Sequence, residues 1–136
     1  MEIHRGRLID HVHLRASDLE ATKRFYRAAL AALGFTDCRE GPDWFSIDEL
    51  WIDRAEGPVS RVHLAFQAAD SDRVQAFYST TLAARGRGNG APGERHYHPG
   101  YYAAFVLDPD SNNIEAVYHG PAERSAASVV LNRPAT

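Results

Sequence analysis

The sequence predicts an α+β fold built from two tandem modules, each running strand, helix and about three further strands. Three observations carry this. First, the 136-residue chain repeats itself: a shift of 52 residues (63 − 11) lays His11 to Asp18 over His63 to Asp70, Phe25-Tyr26 over Phe77-Tyr78 and Gly34 over Gly86. Nine of 25 ungapped positions are identical, where chance gives roughly two or three in an Ala-rich stretch. Second, in each copy a short segment of period two precedes one of helical period. Third, 44% hydrophobic and 24% charged residues are ordinary globular composition, and a chain this long buries about two-thirds of its unfolded surface, enough for one core. Residues 1–120 are therefore read as one domain, with module one at about 7–57 and module two at about 58–120.

Module one opens with Leu8 to Leu14, aliphatic, β-branched and roughly alternating. Side chains alternate faces along a strand, so Val12 and Leu14 share one face and His11 takes the other. Ser17 or Asp18 can cap the following helix, and Ser17-x-x-Glu20 fits a capping box. Leu19, Thr22, Phe25, Tyr26, Leu30 and Leu33 form its apolar stripe, and Gly34 suits the residue that ends it. Trp44 to Ile47 and Leu50 to Ile52 read as a hairpin turning at Asp48-Glu49.

Module two repeats the plan. Arg61 to Phe66 is its first strand, with Val62, Leu64 and Phe66 on one face and His63 on the other. Asp70 to Arg85 is its helix, striped by Val74, Phe77, Tyr78 and Leu82 and stopped by Gly86. Arg85 to Glu94 reads as a flexible loop. Its Gly88-x-Gly90-x-x-Gly93 run matches a dinucleotide fingerprint only on paper, since it follows a helix and does not join a strand to one. Tyr101 to Leu107 and Ile114 to His119 form the closing hairpin around the turn formers Asp108 to Asn112. Residues 121–136, rich in Ala, Ser and Pro, read as a flexible tail.

Several functional classes drop out. A formal charge of −3 argues against nucleic acid, which needs a clustered basic excess. No apolar run approaches the roughly 18 residues of a membrane helix. Met1 to Arg5 has no apolar stretch behind its charges, so no secretory signal is expected and the cytoplasm is the default compartment. Cys38 is the single cysteine, which leaves no intrachain disulfide and no cysteine-based zinc site.

The candidate site follows from strand parity. Glu115 shares a face with Asn113, Val117 and His119; if Ile114 and Ala116 pack inward, Glu115 meets the sheet surface that carries His11 and His63. Two imidazoles and a carboxylate can hold a divalent cation and leave positions open. The same residue types also suit two satisfied strand histidines and a surface Glu. The repeat favours the first reading, because it sets one His at the equivalent place in each half. Other polar groups fall near this surface: His98, Tyr101 and His119 as substrate or supporting contacts, His13 at a rim or interface, and Trp51 and Trp44 as cavity wall or core.

Asp10-His11-Val12, Asp18-Leu19, Phe25-Tyr26, Val62-His63-Leu64-Ala65-Phe66 and Asp108-Pro109-Asp110-x-Asn-x-Ile114-Glu115 together resemble the glyoxalase/bleomycin resistance/extradiol dioxygenase family, the vicinal oxygen chelate superfamily. The resemblance covers about residues 7–120. It implies two βαβββ modules forming a cupped mixed sheet, as in the glyoxalase and dihydroxybiphenyl dioxygenase fold. It also implies one divalent metal (Zn, Mn, Ni or Fe) on His11, His63 and Glu115, a small substrate chelating it through adjacent oxygens, lyase, isomerase or dioxygenase chemistry, and a homodimer. The alternative it implies is metal-independent binding of an antibiotic or other small molecule, as in bleomycin resistance. Two departures stand out. The fourth ligand of lactoylglutathione lyases, a Glu, would fall near Trp51, which argues against that activity. Ser111 stands where the family's turn usually has Gly.

Overall fold

The computed structural model describes residues 2–125 and 128–132. In module one, strand β1 (Val12–Ala16) leads to helix α1 (Leu19–Ala32), then to β2 (Arg39–Gly41), β3 (Trp44–Ile47) and β4 (Leu50–Arg54). Module two follows with β5 (His63–Gln67), α2 (Ser71–Ala83), β6 (Arg87–Glu94), β7 (Tyr102–Leu107) and β8 (Asn113–Tyr118). Each module makes its own four-stranded sheet, in the orders β1-β4-β3-β2 and β5-β8-β7-β6. The first and last strands of each module pair in parallel and the rest antiparallel. The two βαβββ units read from the repeat are thus present.

The first strands are shorter than the sequence pattern suggests. β1 starts at Val12 because its partner strand β4 starts at Leu50: the two residues register together, and Val12 N–H donates to Glu49 O at 2.7 Å. Leu8 to His11 extend past that partner, and Leu8 and Ile9 are exposed. β5 likewise starts at His63, opposite Asn113, and Val62 lies outside it, half exposed.

Asp18 alone caps α1, its carboxylate accepting from Ala21 N–H at 3.1 Å. The capping box does not form. Ser17 gives both its N–H and its hydroxyl to Asp110 of module two, and Glu20 turns to Lys23, 3.4 Å away. The α1 stripe packs as expected, with Phe25 and Tyr26 fully buried. Burying such side chains contributes about 1.5–3 kcal/mol each. Lys23 is also buried; its ammonium donates to Gly41 O at 2.7 Å, so the charge is not left unpaired.

In α2 the buried stripe is Val74, Phe77 and Thr81, and Leu82 is exposed. Thr81 is tolerated there because its hydroxyl donates back to Phe77 O at 2.6 Å. Gly86 does not supply the left-handed turn after α2; Arg85 does, at φ 69°. Gly86 is needed for space: a Cβ there would come within 2.6 Å of Val106 and 2.7 Å of Phe25. Arg85 to Glu94 is not a loop but mostly β6, which supplies β7 with a partner on its free edge. Register shifts between its glycines mark bulges along that edge strand.

The modules meet through their helices. α1 packs on α2, Tyr26 sets its ring edge against Phe66 at 6.4 Å, and its hydroxyl donates to the buried Asp108 at 2.6 Å. Asp108 also accepts from the N–H groups of Asp110 and Asn112 and from the Asn112 side-chain amide, which organises the 108–112 turn. Ser111 takes φ 67° in that turn. The predicted tail includes residues 126–127 and 133–136, which lie outside the described residues. Among the described residues, no helix is long and apolar enough to cross a membrane.

Candidate functional site

The faces of the two sheets turned away from the helices carry the polar chemistry. In module two, β5 presents His63, Ala65 and Gln67. Registration sets Glu115 between Ala65 and Phe105. The small Ala65 leaves room for the His63 ring to lean across the sheet, and His63 Nε2 lies 2.8 Å from Glu115 Oε1. Glu115 is 2% exposed and His63 remains half exposed. The Tyr101 hydroxyl donates to Glu115 Oε2. Burial first, then the hydrogen bond to Glu115 and its charge, push the Tyr101 phenol well above its ordinary range, so it stays a donor.

Next to this lies a histidine pair. His98 Nε2 is 2.8 Å from His119 Nδ1, and the rings stack at 5.1 Å. His98 Nδ1 lies 2.8 Å from Pro99 O, which assigns the proton between the rings to His119. Tyr101 sets its ring edge against both histidines, each at 5.3 Å. His119 is held below its usual pKa by burial first and then by His98 and Arg5, with Glu115 opposing. The N-terminal segment passes this end of the sheet: a Cβ on Gly6 would come within 2.8 Å of Gln67 Nε2. His96 and His98 do not share a strand; both lie in the 95–101 connection.

His11 stands apart from these groups. Its Nδ1 lies 2.7 Å from the Asp10 carboxylate, and its side chain is 68% exposed. It lines a cavity of about 340 Å³ whose wall is wholly module one, with His13, Ser46, Asp48, Glu49 and Trp51 among its residues. Among the described residues, no three His, Cys, Asp or Glu side chains gather as a metal group. The structure therefore brings His63, Glu115, Tyr101, His98 and His119 together, and leaves His11 and Trp51 on the other module.

Module one's open face holds a pair the pattern reading missed: His13 Nε2 lies 2.8 Å from Asp53 Oδ1. His13 registers with Trp51, so Asp53 is its diagonal neighbour; only the parallel β1–β4 register could have shown this. Trp51 stacks on Trp44, ring centroids 4.8 Å apart and planes 5° from parallel.

A divalent cation suits the module-two group on chemical grounds. His63 and Glu115 are a mixed nitrogen and oxygen donor set. The buried carboxylate uses two of about four acceptor positions, one toward His63 and one toward Tyr101. They make two of a three-donor set; the third expected donor is on the module-one face.

Comparison with known proteins matches residues 8–116 to the model of the Glyoxalase/Bleomycin resistance protein/Dioxygenase superfamily. No curated protein matches. Among solved structures, a glyoxalase/bleomycin resistance protein from Albidiferax ferrireducens T118 is 27% identical with a TM-score of 0.73, over 81% of this chain and 98% of that one. A lactoylglutathione lyase from Agrobacterium tumefaciens (20% identity, TM-score 0.60, 84% and 95% covered) and the oxidase ChaP-H1 (23%, 0.60, 82% and 95%) share the fold.

Proposed function

Since the chain belongs to the Glyoxalase/Bleomycin resistance protein/Dioxygenase superfamily, whose fold is shared by a lyase and an oxidase, we propose that it is a cytoplasmic, homodimeric, divalent-metal-dependent enzyme. In this reading His63 and Glu115 of one copy and His11 of a second hold the metal. The carrying observation is the buried Glu115 carboxylate, which lies 2.8 Å from His63 and keeps acceptor positions beyond its bonds to His63 and Tyr101. The repeat supports the third donor: His11 occupies in module one the place of His63 in module two, and it is exposed for a partner to meet.

When bound, such a cation supplies Lewis-acid polarisation to a small substrate that chelates it through adjacent oxygens. The chain's own residues do the rest. Tyr101 holds Glu115 Oε2, which leaves Oε1 and the His63 ring to face the cation. The His98–His119 pair and Tyr101 form the wall that would contact substrate. Trp51, at the place where a lactoylglutathione lyase would carry its fourth ligand, favours lyase, isomerase or dioxygenase chemistry other than that reaction.

The test uses subunit complementation. His11→Ala and Glu115→Gln proteins each lose binding of Mn, Ni, Zn and Fe(II) in a competition titration. Mixed and reannealed at equal amounts, they regain about a quarter of the wild-type sites, because half the random dimers carry one intact site. No recovery on mixing overturns the shared site, and undiminished binding by Glu115→Gln overturns the metal reading. The rival, metal-independent small-molecule binding, draws on the Trp44–Trp51 stack and its cavity; it predicts ligand binding unchanged in His63→Ala.

A further inference from the structure

We propose that Arg95 receives a carboxylate of the substrate, so that the molecule taken on module two's open face carries a carboxylate apart from its chelating oxygens. This rests on the metal reading of that face, and names the substrate class and the residue that selects it. Registration sets Phe105 directly beside Glu115, and the Phe105 ring meets the His63 ring at 5.9 Å. The Arg95 guanidinium lies over the same Phe105 ring, its Cζ 5.4 Å from the centroid. Arg95 N–H donates to Tyr101 O at 2.8 Å, which fixes its backbone next to the residue that holds Glu115. One aromatic ring therefore separates the guanidinium from the His63–Glu115 pair. Two glycines make the room for it. Gly90 registers with Phe105. A Cβ on Gly90 would come within 2.9 Å of Phe105 Cδ2 and 3.3 Å of Arg95 Nη2, and one on Gly93 within 3.1 Å of Arg95 Nη1. The glycines that mimic a dinucleotide fingerprint thus leave a bare strip of β6 on which the guanidinium lies. Module one has no counterpart, since Pro42 and Asp43 alone join β2 to β3.

The charge of Arg95 is not used inside the chain. Its Nη2 donates to Ala91 O at 2.7 Å and its Nη1 to Glu94 O at 3.3 Å, both neutral carbonyls. Among the described residues no carboxylate forms an ion pair with it. Glu115, one strand over, gives its oxygens to His63 and Tyr101 instead. A guanidinium has five N–H donors, so most of them stay open. The Phe105 ring and the two carbonyls hold the group in place before a ligand arrives. A rigid planar fork of N–H groups matches the two oxygens of a carboxylate, which a lysine ammonium does not. Arg95 is partly buried, where such a bond is screened less than at the open surface.

The test has one arm without metal and one with it. In chelator-treated full-length protein, benzoate and benzamide are titrated while the arginine Nε–H signals are followed by NMR. The Arg95 signal is the one missing from Arg95→Gln. Benzoate shifts it saturably and binds about tenfold tighter than benzamide. In Arg95→Gln that preference falls to under about twofold, and Arg95→Lys, which keeps the charge and not the fork, lies between. A merely structural role for Arg95 would weaken both probes alike and leave the preference unmoved. In zinc-loaded protein the probes are catechol and 3,4-dihydroxybenzoate, which offer the same adjacent oxygens and differ by one carboxylate. The second binds about tenfold tighter, and the gap closes in Arg95→Gln. An Arg95 signal that benzoate leaves unmoved overturns the inference, as does an unchanged preference in Arg95→Gln. Equal binding of the two catechols by zinc-loaded protein overturns the assignment of the carboxylate to the substrate. A protein that takes up no zinc fails the metal reading alone, because the chelator-treated arm decides on Arg95 without a metal.

Discussion

The two modules share a backbone plan and a buried interior, and differ almost entirely on their open faces. Phe25 and Phe77 are equivalent in the repeat and both fully buried; both helices begin at an aspartate that accepts from the N–H three residues on. Across the sheet, module two joins His63, Glu115 and Tyr101, whereas module one pairs His13 with Asp53 and stacks two indoles. Chain length accounts for part of this. The repeat offset is 52 at the first strands and 64 (115 − 51) at the last, so module two has 12 more residues between. Seven of them (59 − 52) fall where β6 and the 95–101 connection lie, which brings in His98 and Tyr101, and five (64 − 59) fall in the turn between β7 and β8. The interior tolerates little change because every face of it touches another element; the open face carries no such constraint, and that is where the halves took separate chemistry.

The largest effects test the sameness of the interiors. Phe25→Ala and Phe77→Ala should each destabilise the protein by about 3–5 kcal/mol in denaturant unfolding, as large truncations in filled cores do. A cost under about 1 kcal/mol at either site would show that the modules are not held alike.

The next effect tests the difference between the faces. Glu115→Gln should lower divalent-metal affinity by about a hundredfold, and Asp53→Asn by less than about threefold, in the same competition titration. Equal losses would place the metal on both faces and remove the asymmetry.

A smaller contrast separates the equivalent tyrosines. Tyr26→Phe leaves the buried Asp108 without one of its donors and should cost about 1–3 kcal/mol, read from the unfolding midpoint. Tyr78 is only partly buried, and Tyr78→Phe should cost under about 0.5 kcal/mol. If the two costs match, the Tyr26–Asp108 bond is not what joins the modules at that point.

How far the sequence shows all this depends on whether a feature is local. The repeat, the α1 stripe and the Asp48-Glu49 turn are written in neighbouring residues, and they stand in the structure; in α2 Val74 and Phe77 are buried as expected, but Thr81 takes the place given to Leu82. Parity along single strands placed Glu115 and His63 on one face. Features that need a partner were hidden. β1 stops short of Leu8 because β4 does, Ser17 is drawn from its own helix by Asp110, and β6 is a strand only because β7 offers it an edge. His13–Asp53 needs a diagonal across a parallel pair. The separation of His11 from His63 depends on how two sheets sit about their packed helices, which no pattern within either module encodes.

The smallest prediction concerns His119, which has no counterpart in module one, where Ala55 stands at the equivalent place. Burial, His98 and Arg5 lower its pKa in the fold, and Glu115 opposes them without reversing the shift. The unfolded chain, with an ordinary histidine value near 6.5, then binds the proton more readily than the folded chain does. Stability from the neutral ring is fully present above about pH 6.5 and is lost as the pH falls through the lowered folded value. Melting temperatures taken from pH 8 down to pH 5 should therefore fall more steeply for the wild type than for His119→Gln, which cannot take up the proton. Parallel curves would mean that His119 ionises as freely in the fold as in the unfolded chain, and that its contact with His98 is not maintained in solution.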